Sequence, residues 1–165
     1  MNRRPAKPST PHARALIAAF TAGLGVAADE AALDFVAQAA LDAAPDELPE
    51  LGAEDLAANL ADFWAFAARR KGKGPAMRLA PVLGEAGQAL ERLEIVQDDA
   101  PFLVDSVMGE IAAQGFQVRA MFHPLATVAR DRSGARVVDG KPRRESMIQV
   151  ILERVGADRA EQLLG

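Results

Sequence analysis

The chain has 165 residues, 19 basic and 23 acidic, and a formal net charge of −4. It has no cysteine and only two histidines, His12 and His123, which excludes disulfides, thiolate metal sites and cysteine nucleophiles. No apolar run nears the roughly 20 residues of a membrane helix, no secretory h-region follows the N-terminus, and the mild acidity disfavours nucleic acid. A cytoplasmic chain without a metal, membrane or nucleic-acid partner is expected.

Residues 1–11 read as a basic disordered tail carrying Arg3, Arg4 and Lys7. Residues 12–72 read as a helical domain of three helices. Thr10-Pro11 signals the first, pairing an N-cap residue with proline at N1. Leu16, Ile17, Phe20 and Leu24 then share a face, and Gly25 ends the helix. The second begins near Asp29, with Leu33, Val36 and Ala40 on one stripe, and stops at Ala43-Ala44-Pro45. The third carries Leu56, Leu60, Phe63, Trp64 and Ala67 at helical spacing. Glu54 and Asp55 sit in its first turn and Arg69-Arg70-Lys71 in its last, complementing the helix dipole, with Gly72 as the cap. The boundary falls at Gly72–Pro75.

Residues 76–165 change period. Met77–Leu83, interrupted by Pro81, reads as an edge strand, and Leu93–Val96 as a strand. Pro101–Gln114 reads as a helix, capped by Asp98 or Asp99 and closed by Gly115. Phe116, Val118, Ala120 and Phe122 alternate along an extended stretch that Pro124 breaks. Asp131–Gly134 is a turn; Ser146–Arg154 is a strand with Ile148, Val150 and Leu152 inward; Asp158–Leu164 begins a helix. The fold class is therefore α+β: three helices, then a β-α-β-β-α unit with an antiparallel sheet, a ferredoxin-like order lacking its last strand. A chain cut inside a domain of a longer protein explains that order.

The densest polar group is Gln97, Asp98, Asp99, Pro101, Asp105 and Ser106, where a strand passes into a helix. One reading is a loop for an amino acid or carboxylate, because helix N-termini bind anions. The other is structural: Asp98 and Asp99 cap, Pro101 starts the helix, and Asp105 is solvated. His123 lines a pocket, acts as a base or marks a strand bend as a structural histidine, and Ser106 has no triad around it. His12 reads as solvated in the tail. The glycines of 71–75 and 84–87 match neither a P-loop nor a dinucleotide fingerprint. Phe63, Trp64 and Phe66 form helix core or a docking surface. Arg130, Arg132, Arg136, Lys141, Arg143 and Arg144 form a basic hairpin, either solvated or bound to an acidic partner, the acidic helices of this chain included.

The string Leu93–Val107 resembles the N-terminal region of the large NAD-dependent glutamate dehydrogenases of bacteria, whose form there is "EIVNDDxPFLVDS". The resemblance continues through His123-Pro124, Arg130–Gly134 and Glu145-Ser146, and departs mildly at Gln97, where asparagine is usual. It covers residues 76–165; residues 1–72 match only in helical, acidic character. It implies a parent enzyme that converts L-glutamate and NAD to 2-oxoglutarate, ammonia and NADH. The catalytic and cofactor domains would lie downstream, so this stretch holds no cofactor or catalytic residue. It implies an ACT-like regulatory module, truncated before its last strand. Its partners would be downstream domains, other subunits of a homo-oligomer and an amino-acid effector, whose loop would be Gln97–Pro101 with Asp105, Ser106 and His123 as further candidates. The alternatives are a free-standing amino-acid sensor and an interaction module that docks through Phe63/Trp64 or the basic hairpin.

Overall fold

The structure, a computed structural model, describes residues 10–42, 51–84 and 90–165. The basic tail through residue 9, the stop at Ala43-Ala44-Pro45 and residues 85–87 of the second glycine stretch lie outside the described residues.

Three helices form the first layer. In α1 (Pro11–Leu24) the Ala13 N–H donates to Thr10 Oγ1 at 3.1 Å, Pro11 occupies the first turn, and Gly25 turns the chain out at φ 55. His12 is half-buried in that first turn, not in the tail. A short 3-10 turn leads to α2 (Glu30–Asp42), where Asp29 Oδ1 accepts from Ala32 N–H at 2.9 Å. Its buried stripe is Ala32, Phe35, Val36, Ala39 and Ala40, and Leu33 is exposed. The anchor is Phe35, whose ring lies 5.9 Å from Phe20, 6.0 Å from Phe63 and 4.9 Å from Trp64. This rotates the inward face away from Leu33. With Phe63 and Trp64 buried in that cluster, they are core and not a docking surface.

The third helix, α3 (Ala53–Phe66), stops short of the basic run expected in its last turn. A turn at Ala67-Ala68 ends it, and Arg69 then forms a bridge to Ala135. Arg70 N–H donates to the Gly134 carbonyl and Arg136 N–H to the Ala68 carbonyl, which ties residues 68–70 to the 134–136 turn.

The strands are β1 (Ala76–Pro81), β2 (Leu90–Asp98), β3 (Val118–Phe122), β4 (Leu125–Arg130), β5 (Arg136–Val137) and β6 (Arg143–Glu153), with helices α4 (Leu103–Ala113) and α5 (Ala157–Leu164). Every pairing is antiparallel, in the order β1-β2-β6-β4-β5, with β3 also on β6. β3 and β4 run along one edge of β6 as a single bent strand, broken at His123-Pro124. The run β2-α4-β3/β4-β6-α5 follows ferredoxin-like connectivity. The edge beside β2 that a closing strand would take is occupied by β1, so the sheet order does not lack a strand there.

The two faces of the sheet differ. Leu93, Ile95, Ile148, Val150 and Leu152 pack under α4 and α5. Val96, Ala120, Phe122, Ala126, Val128, Met147 and Ile151 pack under the first three helices, in one core with Leu16, Phe20, Phe35 and Phe63. The expected alternation from Phe116 to Phe122 breaks because a register shift between Val118 and Ala120 swaps faces. Phe116 joins the α4 side, and Val118 is partly exposed.

Gly134 closes the 131–134 turn at φ 86, and a Cβ there would run into the Arg70 carbonyl. Gly134→Ala should therefore cost about 2 kcal/mol or more, from the left-handed backbone alone and then from displaced chain. Gly109, inside α4 with open space around its Cα, should behave oppositely. Gly109→Ala should stabilise by up to about 1 kcal/mol. Urea denaturation of both variants tests the pair.

Candidate functional site

The loop after β2 does not gather its polar residues into one site. Asp98 and Asp99 leave the helix uncapped: the N-cap position of α4 is Phe102, left-handed at φ 63 and without a side-chain cap. Asp98 instead accepts from Arg70 Nη1 at 2.8 Å and lies 4.0 Å from Arg143. The hydrogen bond from Arg70 holds its carboxyl below the ordinary aspartate range. Asp99 Oδ1 accepts from the Ser146 hydroxyl at 2.9 Å. The buried Ser146 in turn lies 3.1 Å from His123 Nε2, and the His123 backbone N–H donates to Asp42 Oδ2 at 2.8 Å.

Asp99, Ser146 and His123 thus form a line with serine in the middle. A hydrolytic triad needs the imidazole between carboxylate and hydroxyl, so this line orients residues and generates no nucleophile. Gln97, next to the last residue of β2, lies opposite Ser146. Pro101 is exposed in the turn, and Asp105 is exposed on α4. The Ser106 hydroxyl donates back to the Phe102 carbonyl at 3.0 Å, on the outside of α4. The structure therefore joins Asp99 to His123 and separates Asp98, Asp105 and Ser106 from them.

Two buried charge clusters lie between the sheet and the first helical layer, and neither was visible as a site in the sequence. In the first, Glu145 on β6 is fully buried. It receives Arg130 Nε at 2.7 Å, Arg130 Nη2 at 2.8 Å and Arg70 Nη1 at 3.0 Å. Both arginines also reach backbone carbonyls: Arg130 donates to Ala67 and Gly134, Arg70 to Lys73 and Gly74. Arg136 adds a bond to the Trp64 carbonyl, with its guanidinium 3.6 Å from the Trp64 ring centroid. Two arginines of the basic hairpin are thereby spent on the C-terminal end of α3 within the same chain.

The second cluster centres on Glu94 of β2. It accepts from Arg78 Nε at 2.6 Å, Gln149 Nε2 at 2.6 Å and Arg92 Nη1 at 3.2 Å. Asp62 of α3 accepts from Arg78 and Arg92, each at 2.7 Å, and Asn59 bonds both backbone groups of Leu83. The two arginines and two carboxylates balance. Burial pushes the Glu94 carboxyl up despite its three donors. Burial also acts on Asp62, but the Arg92 hydrogen bond and the Arg78 and Arg92 charges outweigh it and bring its pKa below the ordinary 3.8. The only sequence signal for these clusters is the run of charges inside strands, which alternation reads as a solvent face.

An antiparallel sheet in ferredoxin-like order, with two helices on one face, defines an ACT-like α+β domain. Residues 35–164 match the family model described as glutamate dehydrogenase, ACT1 domain, and the chain belongs to that family. No curated protein and no solved structure matches it. The match begins within α2, so it takes in α3 and the charge clusters together with the sheet. A Rossmann-type dinucleotide site is built on parallel strands and a glycine-rich turn into a helix, whereas among the described residues every strand pair is antiparallel and α4 is entered through Asp98-Asp99-Ala100-Pro101-Phe102.

Removing the Glu145 carboxylate leaves Arg130 buried without an anion and Arg70 with Asp98 alone. Glu145→Ala should cost about 3–5 kcal/mol in urea denaturation. Acid should also loosen the Glu94 cluster through Asp62. Its depressed carboxyl contributes stability above its unfolded value, and that contribution is lost as the pH falls through the lower folded value. Glu94, raised, works in the opposite sense: its contribution is present at low pH and declines as the pH rises through its folded value. Asp62→Asn should therefore flatten the loss of stability below about pH 4, read as urea midpoints at acid and neutral pH.

Proposed function

We propose that this chain is the N-terminal regulatory region of a large, cytoplasmic, NAD-dependent glutamate dehydrogenase. In this reading the parent enzyme oxidises L-glutamate with NAD to 2-oxoglutarate, ammonia and NADH in domains that follow. The present residues supply contacts with those domains and with other subunits of a homo-oligomer, and an amino-acid effector belongs to the same reading. The observation that carries it is the family match over residues 35–164. Supporting it is the use made of the polar loop, where Asp98 and Asp99 bind Arg70 and Ser146 and are not left for chemistry.

The purified 165-residue chain, given L-glutamate and NAD, should form no NADH by absorbance, and glutamate-dependent NADH formation would overturn the non-catalytic role. Light scattering should show self-association that rises with concentration. A monomer throughout would remove the assembly role and leave the regulatory one.

A further inference from the structure

Between α2 and the β4–β5 hairpin lies a cleft of about 980 Å³. Its size is at the upper end for small-ligand sites. The α2 wall is acidic and the opposite wall basic. Asp29 and Asp34 line the first, Arg136 and Arg144 the second. The apolar side chains of Leu33 and Val138, both exposed, complete the lining.

The polar groups are partly fixed and partly unspent. Gln38 Oε1 accepts from the Leu125 N–H at 3.0 Å and its Nε2 donates to Asp34 Oδ2 at 3.1 Å. That chain holds Asp34 in place and leaves its second oxygen without a hydrogen bond among the described residues. Arg136 is held by Trp64 through one Nη1 bond and a stacked face, which leaves Nε and Nη2. Among the described residues no carboxylate lies within 4.0 Å of either guanidinium, Arg136 or Arg144. Burial, with Arg130 nearby, pushes the Arg136 pKa down to about 10. Asp29 and Glu145 act on Arg136 only from beyond contact distance, and a half-buried cation of that kind is stabilised when an anion arrives in contact.

We infer that this cleft binds a small zwitterion, an α-amino acid with an apolar side chain. Its carboxylate pairs with the free edge of Arg136 and with Arg144. Its ammonium meets Asp34 and Asp29, and its side chain lies on Leu33 and Val138. A dianion would gain the same arginines but face the carboxylates of α2. A simple amine would leave Arg136 unpaired. Binding stands on the cleft alone, whereas its role as an effector site rests on the regulatory reading.

The test is calorimetry of the 165-residue chain with L-leucine, L-valine and L-methionine, beside the 2-oxo acid and the decarboxylated amine of leucine. At least one amino acid should saturate. The oxo acid and the amine should each bind about tenfold more weakly or worse, since each forfeits one charged hydrogen-bonding end. Asp34→Asn, whose amide oxygen can still accept from Gln38, and Arg144→Gln, at an exposed position, should weaken binding by a similar factor with unchanged thermal melting. Amide shifts in NMR spectra should cluster at residues 29–38 and 125–144. Saturation by none of the three, or affinity untouched by both variants, would overturn the site. Shifts confined to residues 97–106 would overturn it too, while leaving the regulatory reading intact.

Discussion

Glu145 is the group on which the rest of the arrangement depends. A carboxylate on the central strand of a sheet, with no exposure, is costly unless it is paired and its remaining lone pairs are filled. Here Arg70 and Arg130 supply both conditions. Arg70 comes from the chain just after α3, Arg130 from the end of β4. The two arginines hold three separate parts of the chain to one point. They also bond the carbonyls of Ala67, Lys73, Gly74 and Gly134, so the connection from helix to sheet is pinned along its length.

The same logic applies at Glu94, one strand over. An apolar interface would have joined helices to sheet without preference for register. Charges matched one by one do impose a register, because a shifted helix would strand Arg92 or Glu94 without its partner. Gln149 Oε1 is the one buried atom of that cluster left without a hydrogen bond among the described residues. Helices and sheet therefore share one core and two charge clusters, across the glycine-rich connection at residues 72–75 that composition alone marks as a boundary.

How much of this was legible follows from what periodicity measures. Ile148, Val150 and Leu152 announced the face under α4 and α5, since apolar side chains cluster there. Glu145, Gln149, Arg92 and Glu94 are on the other face of the same strands and read as solvated, because alternation sees polarity and not burial. The basic run after α3 was misplaced for a related reason. Dipole complementarity is worth about 0.3–1 kcal/mol, and it lost to Arg70 meeting two carboxylates. The closing strand could not be anticipated from element order, because β1 reaches that edge from the other end of the unit.

The polar loop shows the remaining gap between a motif and its use. Asp98 serves Arg70, and Asp99 serves Ser146 and through it His123. Phe102 turns the chain in a left-handed conformation that a bulky residue adopts only under constraint, with its ring in solvent. Leu103 and Val104 pack on the sheet, and Ser106 closes back on Phe102. Asp98, Asp99, Phe102, Leu103, Val104 and Ser106 of the string each have a structural task. Other groups with hydrogen-bonding capacity left over lie on the walls between α2 and the β4–β5 hairpin. In the inferred reading, the polar groups that would meet a small molecule are Arg136, Arg144 and Asp34.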